Sequence, residues 1–278
     1  MSATLGALLA QATARLKTAG VDDPARDARA LVAMAAGIAP DRLSLALQDM
    51  AGAQVAGDLA TLVELRAARR PMAQILGRRA FYRHEFRVTA DVLDPRPDTE
   101  TLVEAALTAP FAHVLDLGTG SGCILLSLLA ARPMASGVGT DLSPAALNVA
   151  HDNAARLGLA ERCLLVHGDW YSPVEGRFDL IVSNPPYIAA AEMPGLAPDL
   201  SHEPRMALTD EGDGLSAYRV IVPGAGAHLR AGGHLMVETG WQQGAAVAEL
   251  FTDAGFDTVK LLPDLAGRDR VVCGSWGG

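Results

Sequence analysis

The sequence predicts an α/β protein in which a mostly parallel sheet, covered by helices on both faces, follows a small N-terminal helical bundle. Three observations carry this prediction. From Ser2 to about Arg70 the chain is rich in Ala, Leu and Arg, with apolar residues at helical spacing. From "HVLDLGTGSG" onward, short aliphatic runs alternate with helical patterns, the signature of a sheet whose strands are joined by crossover helices. The tail "FDTVKLLPDLAGRDRVVCGSW" then holds two strand-like runs with no helix between them, which predicts an antiparallel pair at one sheet edge.

The elements follow in order. Turn and cap signals at "AGVDDPA" and "AGIAPDR" break the first segment into helices. "ILGRRAFYRHEFRVTADV" sets aromatic and β-branched residues around polar ones and predicts a hairpin or two short strands. After "DPRPDTE" a helix through "TLVEAAL" precedes the runs "HVLDL", "GVGTD", "CLLVHGD", "FDLIVSN" and "GGHLMVE". The expected organisation is a helical domain over 1–72, a β-hairpin linker over 73–94 and an α/β domain over 95–278.

Bulk properties narrow the function. A formal net charge of -9 and a pI near 5.2 argue against a protein that grips nucleic acid through a broad basic surface, so no stable nucleic-acid binding is expected. Cys123, Cys163 and Cys273 lie far apart without C-x-x-C spacing, which fits core residues in a reducing compartment. The opening "MSATLGALLAQATARLK" lacks a basic region and is interrupted by Gln11, Arg15 and Lys17, so it reads as an amphipathic helix and not as a signal peptide. No run approaches an uncharged membrane span, and a cytoplasmic protein is expected. The seven histidines show no H-E-x-x-H or paired spacing, so no metal is expected. The basic cluster from Glu64 to Arg79 reads as a solvated helix face, the alternative being contact with an acidic partner surface or ribosome-associated RNA.

The first site signal is "VLDLGTGSGCILLSLLA", which sets Gly118, Gly120 and Gly122 between a strand ending near Asp116 and a helix beginning near Ser121. Glycines there allow close backbone approach, and a helix N-terminus supplies exposed N–H groups. Asp141, 25 residues beyond Asp116 at the end of "GVGTD", can accept from both ribose hydroxyls, a geometry shared by NAD and S-adenosyl-L-methionine sites. Two details favour the methyl donor. Asp116 precedes the first glycine, suited to an ammonium group, and a third strand ends in "HGDW", where Asp169 can accept from an adenine amino group and Trp170 offers an apolar face.

The second signal is "FDLIVSNPPYI". Asn184 offers an amide oxygen at the strand's carboxyl end, and Pro185 aims a carbonyl with no N–H of its own to compete. Two such acceptors match the two N–H bonds of a planar –NH2 group, against which Tyr187 can stack. Holding both hydrogens orients a poorly nucleophilic nitrogen toward a sulfonium methyl, so no strong general base is required. Asn184, Pro185 and Tyr187 are therefore the candidate catalytic residues.

With "PMAQILGRRAFY", "DPRPDTETLVE", "LDLGTGSG", "GDW", "IVSNPPYI", "HEPRMAL" and "VETGWQQG", the chain resembles, over nearly its whole length, the PrmC/HemK family, the protein-(glutamine-N5) methyltransferases of class-1 peptide chain release factors. The resemblance implies a Rossmann-like, class I S-adenosyl-L-methionine-dependent methyltransferase domain with a seven-stranded sheet. It implies donor binding by Gly118, Thr119, Gly120, Ser121, Gly122, Asp141, Leu142 and Trp170, beside Asp116, Asp169 and Asn184. It further implies a glutamine pocket of Asn184, Pro185, Pro186 and Tyr187, walled by Arg96, Pro97, Thr99 and Glu100, that receives the Gly-Gly-Gln loop of the release factor. Pro97 and Glu100 also suit a helix start. Asp94 and Thr239 depart from the family pattern, and Asp94 is expected to add negative charge beside the donor. Two other readings are a methyltransferase for an exocyclic base amine, which needs a basic track, and a non-catalytic nucleotide-binding scaffold, which needs neither Asn-Pro-Pro-Tyr nor Asp141.

Overall fold

The structure is a computed structural model and describes residues 3–278. It divides into two compact units, one formed by the chain up to Arg78 together with Ala197–His202, the other by Arg79–Leu196 and Glu203–Gly278. No helix among the described residues is long and apolar enough to cross a membrane.

The first unit is built on helices α1 (Leu5–Thr18), α2 (Pro24–Ala36), α3 (Ala53–Ala67) and the short α4 (Met72–Leu76). Local chemistry sets their ends. Thr4 caps α1 by accepting from the Ala7 N–H, Asp23 caps α2 with Pro24 in the first turn, and Gly37 at φ 65° closes α2 in the left-handed region. Leu8, Leu16, Leu31, Val32, Leu43, Leu59 and Val63 form the core. Arg66 corrects the expectation of a solvated basic face, for it is only 6 % exposed. Its Nε donates to Asp27 at 2.6 Å and its Nη1 to Asp199 at 2.6 Å, while Arg69 donates to the other oxygen of Asp199 at 2.7 Å. The guanidinium fork lets one buried side chain satisfy two carboxylates, and the second lies too far along the chain for any local pattern to show it.

Strands β1 (Arg78–Phe81) and β2 (His84–Arg87) make a separate two-stranded sheet, turning at Tyr82 with φ 53°. The rest of the second unit runs α5 (Glu100–Thr108), β3 (His113–Leu117), α6 (Cys123–Ala131), β4 (Ser136–Asp141), α7 (Pro144–Arg156), β5 (Cys163–His167), β6 (Phe178–Ser183), α8 (Ser216–His228), β7 (Leu229–Glu238), α9 (Gly244–Asp253), β8 (Asp257–Pro263) and β9 (Asp269–Ser275). The seven strands lie in the order β5-β4-β3-β6-β7-β9-β8. All neighbours are parallel except those of β9, which is antiparallel to β7 and β8. The antiparallel edge read from the tail is therefore present.

Period-2 alternation divides the core between two faces. Val114, Leu180, Val182 and Met236 pack with α5 and α6, whereas Leu115, Leu117, Ile181, Leu235 and Val237 pack with α8 and α9. Helix α6 is covered nearly all round, Cys123 to Leu129 being buried without a break. It begins two residues later than the sequence predicts, because Gly118, Gly120 and Gly122 all hold positive φ and keep the chain out of the helix until Cys123. Strand order reverses between β3 and β6, and this switch point is where a doubly wound sheet opens a crevice.

Candidate active site

A cavity of about 520 Å³ opens beyond the carboxyl ends of β3, β4, β5 and β6. Gly118, Thr119, Gly120 and Ser121 after β3, Asp141 and Leu142 after β4, and Asp169 and Trp170 after β5 form one part of its wall. Asn184 and Pro186 after β6 form another, with Arg96 and Thr99 from the turn before α5.

Asp141 organises the donor end. Its Oδ2 accepts the Gly120 N–H and its Oδ1 the Ser143 N–H, both at 2.8 Å. A carboxylate has about four acceptor positions, so one on each oxygen is left for a diol. Burial raises its pKa against these bonds. Trp170, itself at φ 44°, lays its ring against the loop, and a Cβ on Gly118 would stand 3.4 Å from the ring at φ +70°. Any larger residue at Gly118 would be strained by its backbone before it met the indole.

Asp116 lies beneath this loop and off the cavity wall. Its Oδ2 accepts from Thr119 Oγ1 at 2.7 Å, its Oδ1 is buried without a partner, and burial pushes its pKa up to about 7. The carboxyl expected to face an ammonium group thus acts first on the loop, through Thr119. Gly122 also lies off the wall, where it opens α6.

At the other end Asn184 Nδ2 donates to Thr99 Oγ1 at 3.2 Å. Tyr187 lies off the wall. Its hydroxyl donates to Glu238 at 3.3 Å and its carbonyl accepts from Gln243 Nε2 at 2.8 Å. Pro185 is buried, and Pro97 and Glu100 do not reach the cavity; Pro97 opens the turn into α5, and Glu100 accepts the Tyr82 N–H at 2.9 Å. Asp94 corrects another expectation. It is 5 % exposed and off the wall, with Arg79 at 3.5 Å and Arg96 at 3.8 Å, so its charge meets guanidinium groups and not the donor end. Burial raises its pKa despite both arginines. Glu203 of "HEPRMAL" is buried beside it and takes the Arg96 guanidinium and the Asp94 N–H.

Sequence reasoning missed two side chains, both inside "VETGWQQG". Gln243 ties the Tyr187 carbonyl to the Gly214 carbonyl and accepts the Gly240 N–H at 3.1 Å. Glu238 is fully enclosed at the end of β7, where burial pushes its carboxyl up to about 7. The signal was a carboxylate closing an aliphatic strand, a placement that only the cavity's position makes meaningful.

Comparison with known proteins decides the family. Residues 7–77 match the PrmC N-terminal domain and residues 89–216 the methyltransferase small domain. The chain is 56% identical over 265 residues to the release factor glutamine methyltransferase of Cereibacter sphaeroides, covering 95% of each chain. The chain belongs to the release factor glutamine methyltransferase family. A second relative of that name, from Rhodospirillum rubrum, is 45% identical over 96% of this chain and 84% of its own. The fold is also that of a methyltransferase from Pyrococcus furiosus, at TM-score 0.55 and 18% identity, covering 72% of this chain and 92% of that one. The protein is a methyltransferase with S-adenosyl-L-methionine as its donor, and the wall fits that ligand. Asp141 has acceptor positions for a ribose, Trp170 offers an apolar face, and the wall's carboxylates favour a cation.

Proposed function

We propose that the enzyme methylates the side-chain N5 of the glutamine in the Gly-Gly-Gln loop of class-1 peptide chain release factors. Asn184 carries the reading. It stands on the cavity wall with Nδ2 committed to Thr99, so its oxygen is the group left for a substrate N–H. In this reading Asn184 Oδ1 and the Pro185 carbonyl hold the two amide hydrogens, and Pro186 limits the pocket. When bound, the donor supplies an electrophilic methyl group on a sulfonium. Fixing both N–H bonds orients the nitrogen lone pair and draws electron density toward it. Transfer would break the donor's S–CH3 bond to leave a neutral thioether, and one of the two amide protons would pass to solvent; the product keeps one N–H, so one of the two oxygens loses its partner on turnover and product release is favoured.

The donor is held by the Gly118–Gly122 loop, Asp141, Leu142, Asp169 and Trp170, with Asp116 fixing the loop from below. Arg96 and Thr99 shape the substrate wall, while Pro97 and Glu100 set the start of α5. The helical segment 1–72 serves as the docking arm, 73–94 as the linker and 95–278 as the methyltransferase domain. Asp91, Asp141, Asp169, Asp210 and Glu211 face Arg96 and Arg205 on the cavity wall, five carboxylates against two guanidiniums, which disfavours a nucleic-acid strand. The three cysteines are free, which suits the cytoplasm where release factors work.

The test is transfer from labelled S-adenosyl-L-methionine to a purified release factor, beside a variant whose loop glutamine is alanine, with free DNA and ribosomal RNA as competitors. Label on the wild-type factor alone is expected. Label on nucleic acid alone would overturn the reading.

A further inference from the structure

Two glycines beside the Asn184–Tyr187 turn have no room for a side chain, and both for the same reason. A Cβ on Gly214, at φ +79°, would stand 2.3 Å from the Tyr187 carbonyl oxygen and 2.7 Å from Gln243 Nε2. One on Gly240 would stand 2.8 Å from Gln243 Oε1 and 3.4 Å from the Tyr187 ring. Each glycine clears space around one amide. Gln243, immediately before α9, donates from Nε2 to the Tyr187 carbonyl at 2.8 Å and to the Gly214 carbonyl at 3.3 Å, and its Oε1 accepts the Gly240 N–H at 3.1 Å. Both protons and the oxygen of the amide are therefore engaged. The partners also fix its orientation, because two carbonyls require the NH2 end and an N–H requires the oxygen.

The segments that meet on this amide belong to two walls of the cavity. The turn after β6 contributes Asn184 and Pro186, and the loop leading into α8 contributes Asp210, Glu211 and Ser216. That loop is folded around Asp210, whose Oδ1 accepts the Gly212 and Gly214 N–H groups at 2.8 and 3.0 Å and whose Oδ2 accepts that of Ser216 at 2.9 Å. Beyond the turn the two segments run side by side, the Ile188 N–H donating to the Leu208 carbonyl at 3.0 Å and the Ala190 N–H to the Gly212 carbonyl at 2.9 Å. Gln243 adds a third segment, the connection from β7 to α9. Within the turn, Pro185 and Pro186 have φ locked, and Asn184 and Pro185 are restricted again because each precedes a proline. A turn so stiff moves as one piece, so fixing the carbonyl at its end fixes the direction of the Asn184 and Pro185 oxygens at its start.

We propose that Gln243 is a positioning residue of the methyl-acceptor pocket: it clamps the end of the Asn184–Tyr187 turn to the Gly214 loop and so holds the two acceptor oxygens at the angle that meets the substrate nitrogen. The proposal rests on the assignment of those oxygens to the substrate amide. Gln243 itself lies off the cavity wall and touches neither reactant. A turn released from it keeps its shape and loses its aim. The cost falls on the chemical step and not on binding, since misplacing reacting groups by about 1 Å can cost on the order of a hundredfold.

The experiment compares Gln243→Met with the wild type. Methionine is unbranched and flexible, fills nearly the same space and has no proton to donate. The kcat for a purified release factor is expressed per donor-binding site, counted by calorimetric titration with S-adenosyl-L-methionine. It should fall about tenfold or more, with the KM for the factor and the Kd for the donor within about twofold and the number of donor sites unchanged. A packing role alone would leave kcat per site at the wild-type value, because methionine fills the space. Gly240→Ala keeps the test valid if Gln243→Met folds poorly. Gly240 does not hold positive φ, and the added Cβ meets the end of a flexible side chain, so the alanine displaces the Gln243 amide at little cost to the fold. Its kcat per site should fall about threefold or more in the same pattern. Wild-type kcat per site in Gln243→Met or, should that variant not fold, in Gly240→Ala overturns this proposal alone, as does a loss of donor affinity as large as the loss in kcat. Failure of the wild type to methylate the factor overturns the functional reading and this proposal with it.

Discussion

Replacing Glu238 by glutamine should raise the stability of the protein at pH 8 and leave it nearly unchanged at pH 4. The carboxyl is enclosed at the end of β7, and burial outweighs the help it receives from Thr99, Arg270 and Tyr187. Its pKa is therefore higher in the folded chain than in the unfolded one. Below about pH 4 both states are protonated and the group costs nothing. As pH rises from the ordinary 4.5 to about 7 the unfolded chain gives up its proton first, so stability is lost over that window and the loss is complete above it. A rise from 4.5 to about 7 corresponds to roughly 3 kcal/mol at pH 8. Glutamine has nearly the same shape and never ionises, so it removes this cost. Urea denaturation of wild type and variant at pH 4, 6 and 8 checks the sign, and thermal unfolding should show an increase in Tm of roughly 5 °C at the highest pH. Carboxyls whose pKa falls on folding, such as Asp210 at about 2, act in the opposite direction at lower pH and cancel in the comparison. A difference between the two proteins that stays constant from pH 4 to pH 8 would refute the reasoning, whatever its size.

Other outcomes follow from the same geometry. Asn184→Ala should lower kcat by about a hundredfold while S-adenosyl-L-methionine affinity, measured by calorimetry, stays within about twofold, because the loop after β3 and Asp141 are untouched. Gly214→Ala should cost about 1–3 kcal/mol and most of the turnover, since a Cβ there, at φ +79°, would lie 2.3 Å from the Tyr187 carbonyl oxygen and 2.7 Å from Gln243 Nε2. Chemical denaturation and the methyl-transfer assay report the two effects. Arg66→Ala should destabilise the helical unit by about 3 kcal/mol, read by denaturation, because the half-buried Asp27 would lose its guanidinium partner and Asp199 would keep only that of Arg69.

Much of the second unit was legible because its chemistry is local. The runs "HVLDL", "FDLIVS" and "GGHLMVE" carry their own alternation, and the glycine loop and Asn-Pro-Pro-Tyr sit at strand ends where a doubly wound sheet must present them. What could not be read depended on pairs far apart in the chain. Arg66 looks like one more surface arginine until Asp199 is placed against it. Asp94 looks like added charge at the donor end until Arg79 and Arg96 stand over it. Glu238 reads as a polar residue closing a strand, and only the bonds from Tyr187 and Tyr218 reveal a carboxyl sealed inside the protein. Periodicity reports which face a residue takes, not which partner it meets there.

The membership of Ala197–His202 in the helical unit has a practical consequence for anyone wishing to dissect the enzyme. The polypeptide passes from one unit to the other at three points, after Arg78, after Leu196 and after His202, so a single protease cut between Arg78 and Arg79 leaves Ala197–His202, a piece of the first unit, on the second fragment. A peptide ending at Arg78 would lack the carboxylate that Arg66 and Arg69 share, and an excised catalytic fragment would carry that orphaned acid away with it. The two halves are separable only by rejoining the chain in a different order.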